Sequence, residues 1–518
     1  MKDGFSLIEL LEHTYQLYPD KEYLYDGKKS FTYKQLFHEV HNLAAGLERL
    51  GVQKGERVLV CLPNCHEFIV VFFSLIKIGA TMIPCNPCYR KEDITPILTN
   101  DEINFIFTSN IEHVAIFQNF GVERIVTVHL EDIVCLSYQN LLCNGEKLRM
   151  KASNNQNETM VNRGIAAILY TSGTTGQPKG VMLSHKNLYY AAETTRRILN
   201  CTHLDRIFTP VPVFHVFGLV PGVILTILTG AKIILMEKYN ATKALQLIED
   251  AKATIHLGVP TMFILELNHL TNRDYDLSTL RTGIVAGSSC PSEIVKRIRN
   301  EMGCDIRVSY GLTETASALT FTTDEDDELV CSETVGKPVP GSEIKIVDNN
   351  HQELAIGEIG ELACKGPGVM NGYFRMPKET RNVIEENGWF YTSDLASINE
   401  NGYVTIVGRK KDMIIRGGFK VYPSEIEDVL HQHPSVFDVA VVGAPNPVLG
   451  EISIAFIKLK FNHCGDEEHL KGFVAVRLAK YKVPDKVIFL DELPLSASGK
   501  IRRDVLREMV KIGALAPV

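Results

Sequence analysis

Residues 57–89 read RVLVCLPNCHEFIVVFFSLIKIGATMIPCNPCY. Arg57 to Leu62 is an aliphatic run of strand length. Glu67 to Gly79 reads as an apolar helix, and ATMIPCNPCY as a strand running into a Pro/Asn turn. Cys61, Cys65, Cys85 and Cys88 fall inside this stretch as C-x3-C and C-x2-C pairs 19 residues apart, a spacing that superficially resembles a zinc site. The strand and helix patterns account for the same cysteines as small buried hydrophobes.

The alternation continues outward. Strand-like runs INFIFTS, RIVTV, GIAAILYTS, AKIILM, ATIHLGV and TGIVAG are separated by helical segments such as ITPILTN, NLYYAAETTRRILN, ATKALQLIED and SEIVKRIRNEM. Strand–helix alternation implies parallel sheets covered by helices, an α/β class. From about Gly336 the pattern changes to short strands joined by Gly and Asn turns (EIKIVD, GELACKG, GYVTIVG), which predicts a smaller β subdomain. A polar run, Arg409-Lys410-Lys411-Asp412, then precedes an α+β stretch. There SEIEDVLHQHP reads as an amphipathic helix with Ser424 as N-cap and Glu427 completing a capping box, and FDVAVVGAP and ISIAFIKLK read as strands. The expected division is an N-terminal region, 1–408, and a smaller mobile C-terminal domain, 409–518.

The 518 residues suit either roughly three units at ~150 residues each or one large α/β body with an added domain. With 45% hydrophobic and 22% charged residues the chain is neither disordered nor a multi-span membrane protein. A net charge of −8 argues against a general nucleic-acid binder, while leaving local basic clusters free to bind small anions. Twelve cysteines are too sparse for a disulfide scaffold, and MKDGFSLIELLEHTYQLYPDK lacks the long apolar core of a secretory signal, so the expected compartment is the reducing cytoplasm. Val213 to Ala231 is almost uncharged and about as long as a membrane span, but Gly218, Pro221, Gly222 and Gly230 interrupt it. That content predicts a buried core helix preceded by a loop.

The sharpest chemical motif is Tyr170-Thr-Ser-Gly-Thr-Thr-Gly-Gln-Pro-Lys179-Gly180. It follows the apolar strand GIAAIL and is expected to lead into a helix from about Asn187. Its glycines and hydroxyl side chains (Thr171, Ser172, Gly173, Thr174, Thr175, Gly176) can wrap N–H and O–H donors around phosphate oxygens, with Lys179 adding a positive charge. It is not a Walker loop. Further along, Thr313 and Glu314 follow the strand-like IRVSY, where a carboxylate can hold a hard cation. Asp394 is read in a polar turn, where it can accept two hydroxyls of a ribose. Lys500 lies in the Ser/Gly loop SASGK, able to carry an ammonium into a distant site. Trp389 reads as packing.

The first of these segments resembles the phosphate loop of the adenylate-forming enzymes: acyl- and aryl-CoA ligases, nonribosomal peptide adenylation domains and firefly luciferase. Tyr310-Gly-Leu-Thr-Glu314, Tyr391-Thr-Ser-Asp394, Gly408-Arg-Lys-Lys-Asp412, Gly417 to Glu427 and Pro494 to Lys500 follow in that family's order and span nearly the whole chain. The resemblance implies ATP and CoA as co-substrates and Mg²⁺ held with help from Thr171 and Glu314. It implies adenine stacking on Tyr310 beside Gly311, Thr313 and Ser288, and a ribose on Asp394 with Arg409 nearby. Lys500 would bridge the substrate carboxylate and the α-phosphate, and Lys411 would be the hinge. Gly417, Gly418, Phe419 and Lys420 would lie near the pantetheine tunnel. His215, Val259, Ala286, Gly287, Ser288 and Ser309 would line the acyl site, with His215 as a binding residue rather than a base, since a carboxylate is already ionised at neutral pH.

Pro212 to Gly218 offers Phe214, His215, Val216 and Phe217 where amino-acid-activating relatives place an Asp, so an amino acid, whose ammonium would go unpaired, is disfavoured. The expected activity is fatty acid–CoA ligation through an acyl-adenylate. Loading of a carrier-protein phosphopantetheine is the alternative, and a non-catalytic nucleotide-binding protein is disfavoured by the intact Lys500, Glu314 and Asp394. The expected partners are a small carboxylic acid, ATP and CoA, with no nucleic acid and no integral membrane span. A homodimer, a carrier protein and peripheral membrane contact stay open.

Overall fold

A computed structural model describes residues 6–101, 103–130, 135–151, 164–171, 178–270, 273–288, 290–460, 463–495 and 501–511. The stretch 57–89 forms the expected strand–helix–strand unit: Arg57–Cys61, the helix His66–Ile78 and Thr81–Pro84. Phe68, Phe72 and Phe73 of the helix are fully buried. At about 1.5–3 kcal/mol per buried large apolar side chain, this packing outweighs the modest helix propensity of its β-branched residues.

Among the described residues, these strands belong to a seven-stranded sheet ordered Leu136–Ser137, Arg124–Thr127, Phe105–Thr108, Arg57–Cys61, Thr81–Pro84, Ile165–Thr171, Lys179–Ser184. All neighbours are parallel except the last pair. A nine-stranded sheet has a parallel centre: Asp305–Tyr310, Thr282–Val285, Ile255–Gly258, Arg206–Thr209, Lys232–Leu235 and Glu22–Tyr25. Short antiparallel strands close both of its ends. Separate apolar clusters fill its two faces, one under Phe208, Phe263 and Val295, the other under Phe217, Val259 and Phe321. The expected β subdomain is an antiparallel four-stranded sheet of Glu343–Val347, Gly360–Lys365, Phe390–Ile398 and Val404–Arg409. Beyond it, Ile414–Arg416, Phe419–Val421, Val436–Asn446, Gly450–Leu459 and Lys486–Phe489 form a last sheet, packed against the helix Pro423–His431 through Ile426, Leu430, Val439 and Ala455.

The apolar segment 213–231 is a buried, broken helix: Val216–Gly218, a π-helical turn Leu219–Ile224 and Leu225–Thr229. The π-turn spans Pro221, whose missing N–H disrupts regular helix bonding. Among the described residues no helix is long and apolar enough to cross a membrane.

Three local expectations need correction. The phosphate-loop segment joins two antiparallel strands, with Thr171 opposite Lys179, rather than a strand and a helix. The helix His185–Ile198 starts only after the second strand, capped by Ser184 and Asn187. Val181 and Leu183 alternate inward and give this short strand its reason to form. Asp394 lies inside the strand Phe390–Ile398, not in a turn, next to Ser393 at φ +61°. Ser424 does not cap its helix: Tyr422 holds the N-cap position, the Ser424 hydroxyl donates to the Val407 carbonyl, and Glu427 binds Arg503 at 2.7 Å. Pro423 at the first helical turn fixes the start two residues earlier than the capping pattern suggests.

Candidate active site

Parallel strands leave a sheet at a common end, and ligands of α/β sheets bind there. Four strands of the larger sheet lead directly into residues singled out in the sequence. Arg206–Thr209 leads to His215, Ile255–Gly258 to Val259, Thr282–Val285 to Ala286, Gly287 and Ser288, and Asp305–Tyr310 to Gly311, Thr313 and Glu314. In the smaller sheet, Ile165–Thr171 runs to the phosphate-loop segment. Ser172, Gly173, Thr174, Thr175 and Gly176 lie outside the described residues, as does Lys500.

Two linked groups stand at this end. In the first, the Tyr373 hydroxyl donates to Glu314 Oε1 at 3.0 Å, and Lys179 Nζ sits 4.9 Å from the centroid of the Tyr373 ring. In the second, the Tyr310 hydroxyl donates to Asp394 Oδ2 at 2.6 Å, and Arg409 Nε is 3.6 Å from Asp394 Oδ1. Burial pushes the Glu314 carboxyl above the usual carboxylate range. The Tyr373 hydrogen bond and the Arg409 charge oppose that rise and Asp394 adds to it, so both groups act on one carboxylate. Burial and the Asp394 charge likewise push the Tyr310 phenol well up, so it stays a hydrogen-bond donor at neutral pH.

The turn that presents Glu314 depends on Gly311. A Cβ at this position would stand 2.1 Å from the Ser317 carbonyl oxygen, so the chain can fold back over Leu312–Ser317 only with glycine there. The acyl-site expectations divide. Val259, Met262, Phe217 and Phe321 share one apolar cluster with Ala286 packed against it. His215 caps the helix that follows, its Nδ1 accepting from Phe217 N at 3.3 Å. Gly287 and Ser288 are exposed. Ser309 is buried with its hydroxyl donated to the Thr320 carbonyl, a strand-pairing contact.

In the C-terminal part, Gly417 (φ +57°) and Gly418 (φ +86°) form a two-residue turn between Ile414–Arg416 and Phe419–Val421. Both positions need positive φ, the hallmark of a type I′ hairpin. Phe419 is exposed and stacks on Tyr481 at 4.7 Å, and Lys420 is exposed. Lys411 sits between two anchored neighbours: Lys410 Nζ is 2.9 Å from Glu361, and Asp412 is 2.6 Å from Arg507.

Sequence reasoning missed Asn64, Asn187 and Tyr373. Asn64 is buried and donates to the Val211 and Met236 carbonyls while accepting from Val213 N. It thereby ties the loop carrying His215 to the smaller sheet. Asn187 donates to the Pro367 and Val369 carbonyls. These groups bond to backbone far away in sequence, so no local pattern betrays them; only the polar break Pro63-Asn64 between an apolar strand and an apolar helix is a signal.

The donor set fits a magnesium ion. Glu314 is a half-buried carboxylate with acceptor capacity beyond its Tyr373 bond, and Thr171 is a hydroxyl at the end of its strand. Magnesium takes few protein oxygens and completes its shell with phosphates and water.

Comparison with known proteins fits this geometry. The chain matches the AMP-binding enzyme family over residues 11–374 and the AMP-binding enzyme C-terminal domain over residues 425–500. It is 37% identical to a putative acyl-CoA synthetase of Bacillus subtilis (strain 168), covering 96% of each chain. It is 33% identical to the medium-chain fatty-acid–CoA ligase of Escherichia coli (strain K12), covering 97% of this chain and 90% of the relative. The fold is similar to that of an anthranilate CoA ligase in complex with anthranoyl-AMP, with a TM-score of 0.90 at 26% identity over 98% of both chains. ATP-bound MatB from Rhodopseudomonas palustris gives 0.86 at 29% identity over 98% of this chain and 99% of that one. The chain therefore belongs to the AMP-binding enzymes, the adenylate-forming superfamily, and is an AMP-forming acid–CoA ligase.

Proposed function

We propose that this ligase activates a fatty acid. The observation that carries the reading is the apolar cluster of Phe217, Val259, Met262 and Phe321 beside the His215 loop, in a stretch, 212–218, that contains no acidic residue. An alkyl tail gains about 0.8 kcal/mol per buried methylene in such surroundings, whereas an α-ammonium would be desolvated without a counter-charge. The name of the Escherichia coli relative supports the same class.

The reaction runs in two halves. The substrate carboxylate attacks the α-phosphorus of ATP and pyrophosphate leaves; the CoA thiolate then attacks the acyl carbon and AMP leaves. Asp394 accepts the ribose hydroxyls, with Tyr310 holding its other oxygen. Thr171 and Glu314 would hold a magnesium ion, which would offset charge on the phosphate oxygens. Ser172 to Gly176 and Lys179 surround the phosphates, with Ser288, Gly311 and Thr313 at the nucleotide. His215, Val259, Ala286, Gly287 and Ser309 border the acyl group. Lys500 faces the α-phosphate in the first half-reaction. Rotation of 409–518 against 1–408 about Lys411 then withdraws it and brings Gly417 to Lys420 to the CoA arm.

Pyrophosphate and AMP release should be measured with acids from acetate to oleate, plus benzoate and coumarate, with and without CoA, and with mass detection of the thioester. A fatty acyl-CoA product is expected. Product from the aryl acids alone overturns the fatty-acid reading, and pyrophosphate release without any CoA product points to a carrier-protein acceptor. Lys500→Ala should lose acyl-adenylate formation by a hundredfold or more, on the order expected for a fixed transition-state charge. It should still make thioester from supplied acyl-adenylate. Equal loss of both steps with the fold retained removes the assigned role.

A further inference from the structure

Residues 366–374 form a crossing segment between the two large sheets. On one side it runs along Lys179–Ser184: Asn371 N donates to Met182 O, Met182 N to Gly372 O and Phe374 N to Gly180 O, at 2.9, 3.0 and 2.8 Å. On the other side Met370 N donates to the Glu314 carbonyl at 2.8 Å, and Asn187 holds the Pro367 and Val369 carbonyls. The segment is thus bonded both to the strand that follows the phosphate loop and to the turn that carries the metal-site carboxylate. Tyr373, 6% exposed and placed opposite Val181, is buried in the core together with Met370 of the same segment.

We infer that Tyr373 is a positioning residue for Mg·ATP, its hydroxyl orienting the Glu314 carboxylate while its ring keeps Lys179 apart from it. The inference rests on the nucleotide-site reading above. The hydroxyl donates to Glu314 Oε1, and the Lys179 ammonium lies over the ring face of the same side chain. An ammonium is attracted to an aromatic face and a carboxylate to a phenolic hydroxyl, so one residue satisfies both charges without letting them meet. A direct Lys179–Glu314 ion pair would compete with both intended partners, phosphate for the lysine and metal for the carboxylate. The backbone bonds on either side, with Tyr373 N donating to Thr380 Oγ1, fix the main chain from which the buried ring projects.

The test is calorimetric titration of ATP into the full-length protein, in magnesium and in EDTA, for wild type, Tyr373→Phe, Glu314→Gln and the double variant. Tyr373→Phe keeps the ring and its cation contact and removes only the hydroxyl. Its Mg·ATP affinity should fall about tenfold, the scale of a hydrogen bond to a charged group, while its affinity for metal-free ATP is unchanged. In the Glu314→Gln background the same substitution should have little further effect. Tyr373→Phe binding Mg·ATP like wild type, or losing as much in EDTA as in magnesium, or losing as much in the Glu314→Gln background, overturns the inference. Wild type showing no magnesium-dependent gain would instead defeat the assignment of Glu314 on which it rests. Thermal melting of each variant separates these outcomes from loss of fold.

Discussion

At the scale of single residues, the most consequential side chain outside the expected motifs is Asn64. Its amide makes three hydrogen bonds to backbone groups on two different loops, all buried. Asn64→Ala leaves the Val211 and Met236 carbonyls and the Val213 N–H without their partner. The expected loss of stability is about 3 kcal/mol, since each unsatisfied buried group costs of order 1 kcal/mol or more. Urea unfolding measures it. Because Val213 lies two residues before His215, the KM for the acid should rise more than that for ATP. Glu314 and Asp394 could be singled out from sequence because a carboxylate in an otherwise small and polar motif is chemically conspicuous. Asn64 could not, because its partners lie 147 and more residues away.

At the scale of elements, the helix Pro423–His431 and the strand Val436–Asn446 trap two titrating groups against each other. Burial pushes the Asp438 carboxyl up to about 6; the Val439 N–H opposes the rise, Glu427 adds to it, and Lys458 and Arg503 oppose it. Burial pushes the His431 imidazole down to about 4, with Glu427 opposing. The signs are opposite. The folded state holds the Asp438 proton more tightly than the unfolded chain, so this group lowers stability as pH rises from about 4 to about 6. His431 binds its proton less tightly when folded, so its contribution is present above about 6.5 and lost as pH falls towards 4. Asp438→Asn should therefore raise stability at pH 7 by on the order of 2 kcal/mol, a gain that fades by about pH 4. Denaturant titrations at pH 7 and at pH 4.5 should show the advantage of the variant over the parent shrinking on acidification, while other groups, such as Asp428 pushed up to about 7 on the same helix, titrate in both. Strand and helix existence was readable here from apolar runs. The cap was not, because Ser424 turned to the Val407 carbonyl of the preceding sheet, a tertiary contact that local pattern cannot foresee. The same holds for the short strand Lys179–Ser184, which reads as loop until its pairing with Ile165–Thr171 is known.

At the scale of the whole molecule, the peptide around Lys411 is held on both flanks and by different bodies. Lys410 is tied to Glu361 of the antiparallel sheet, and Asp412 to Arg507 of the last helix. We expect rotation to concentrate at the single residue between them. Lys411→Pro removes its φ freedom. The two half-reactions, assayed separately, should then be affected unequally, one by at least tenfold more than the other; equal effects would place the swivel elsewhere. The alternation of strands and helices and the later β-rich change were legible because they are properties of consecutive residues. The convergence of the site was not, because its parts are joined by the crossing segment 366–374. That segment has a consequence for synthesis. Asn187 meets Pro367 across 180 residues of chain, and the bonds to Gly180 and Met182 close loops of similar length. Contacts of such separation are late to form. A nascent chain can assemble both parallel sheets on the ribosome and still lack a nucleotide site: the seam between the sheets is drawn shut only after residue 374 has emerged, and the Tyr310–Asp394 pair forms later still.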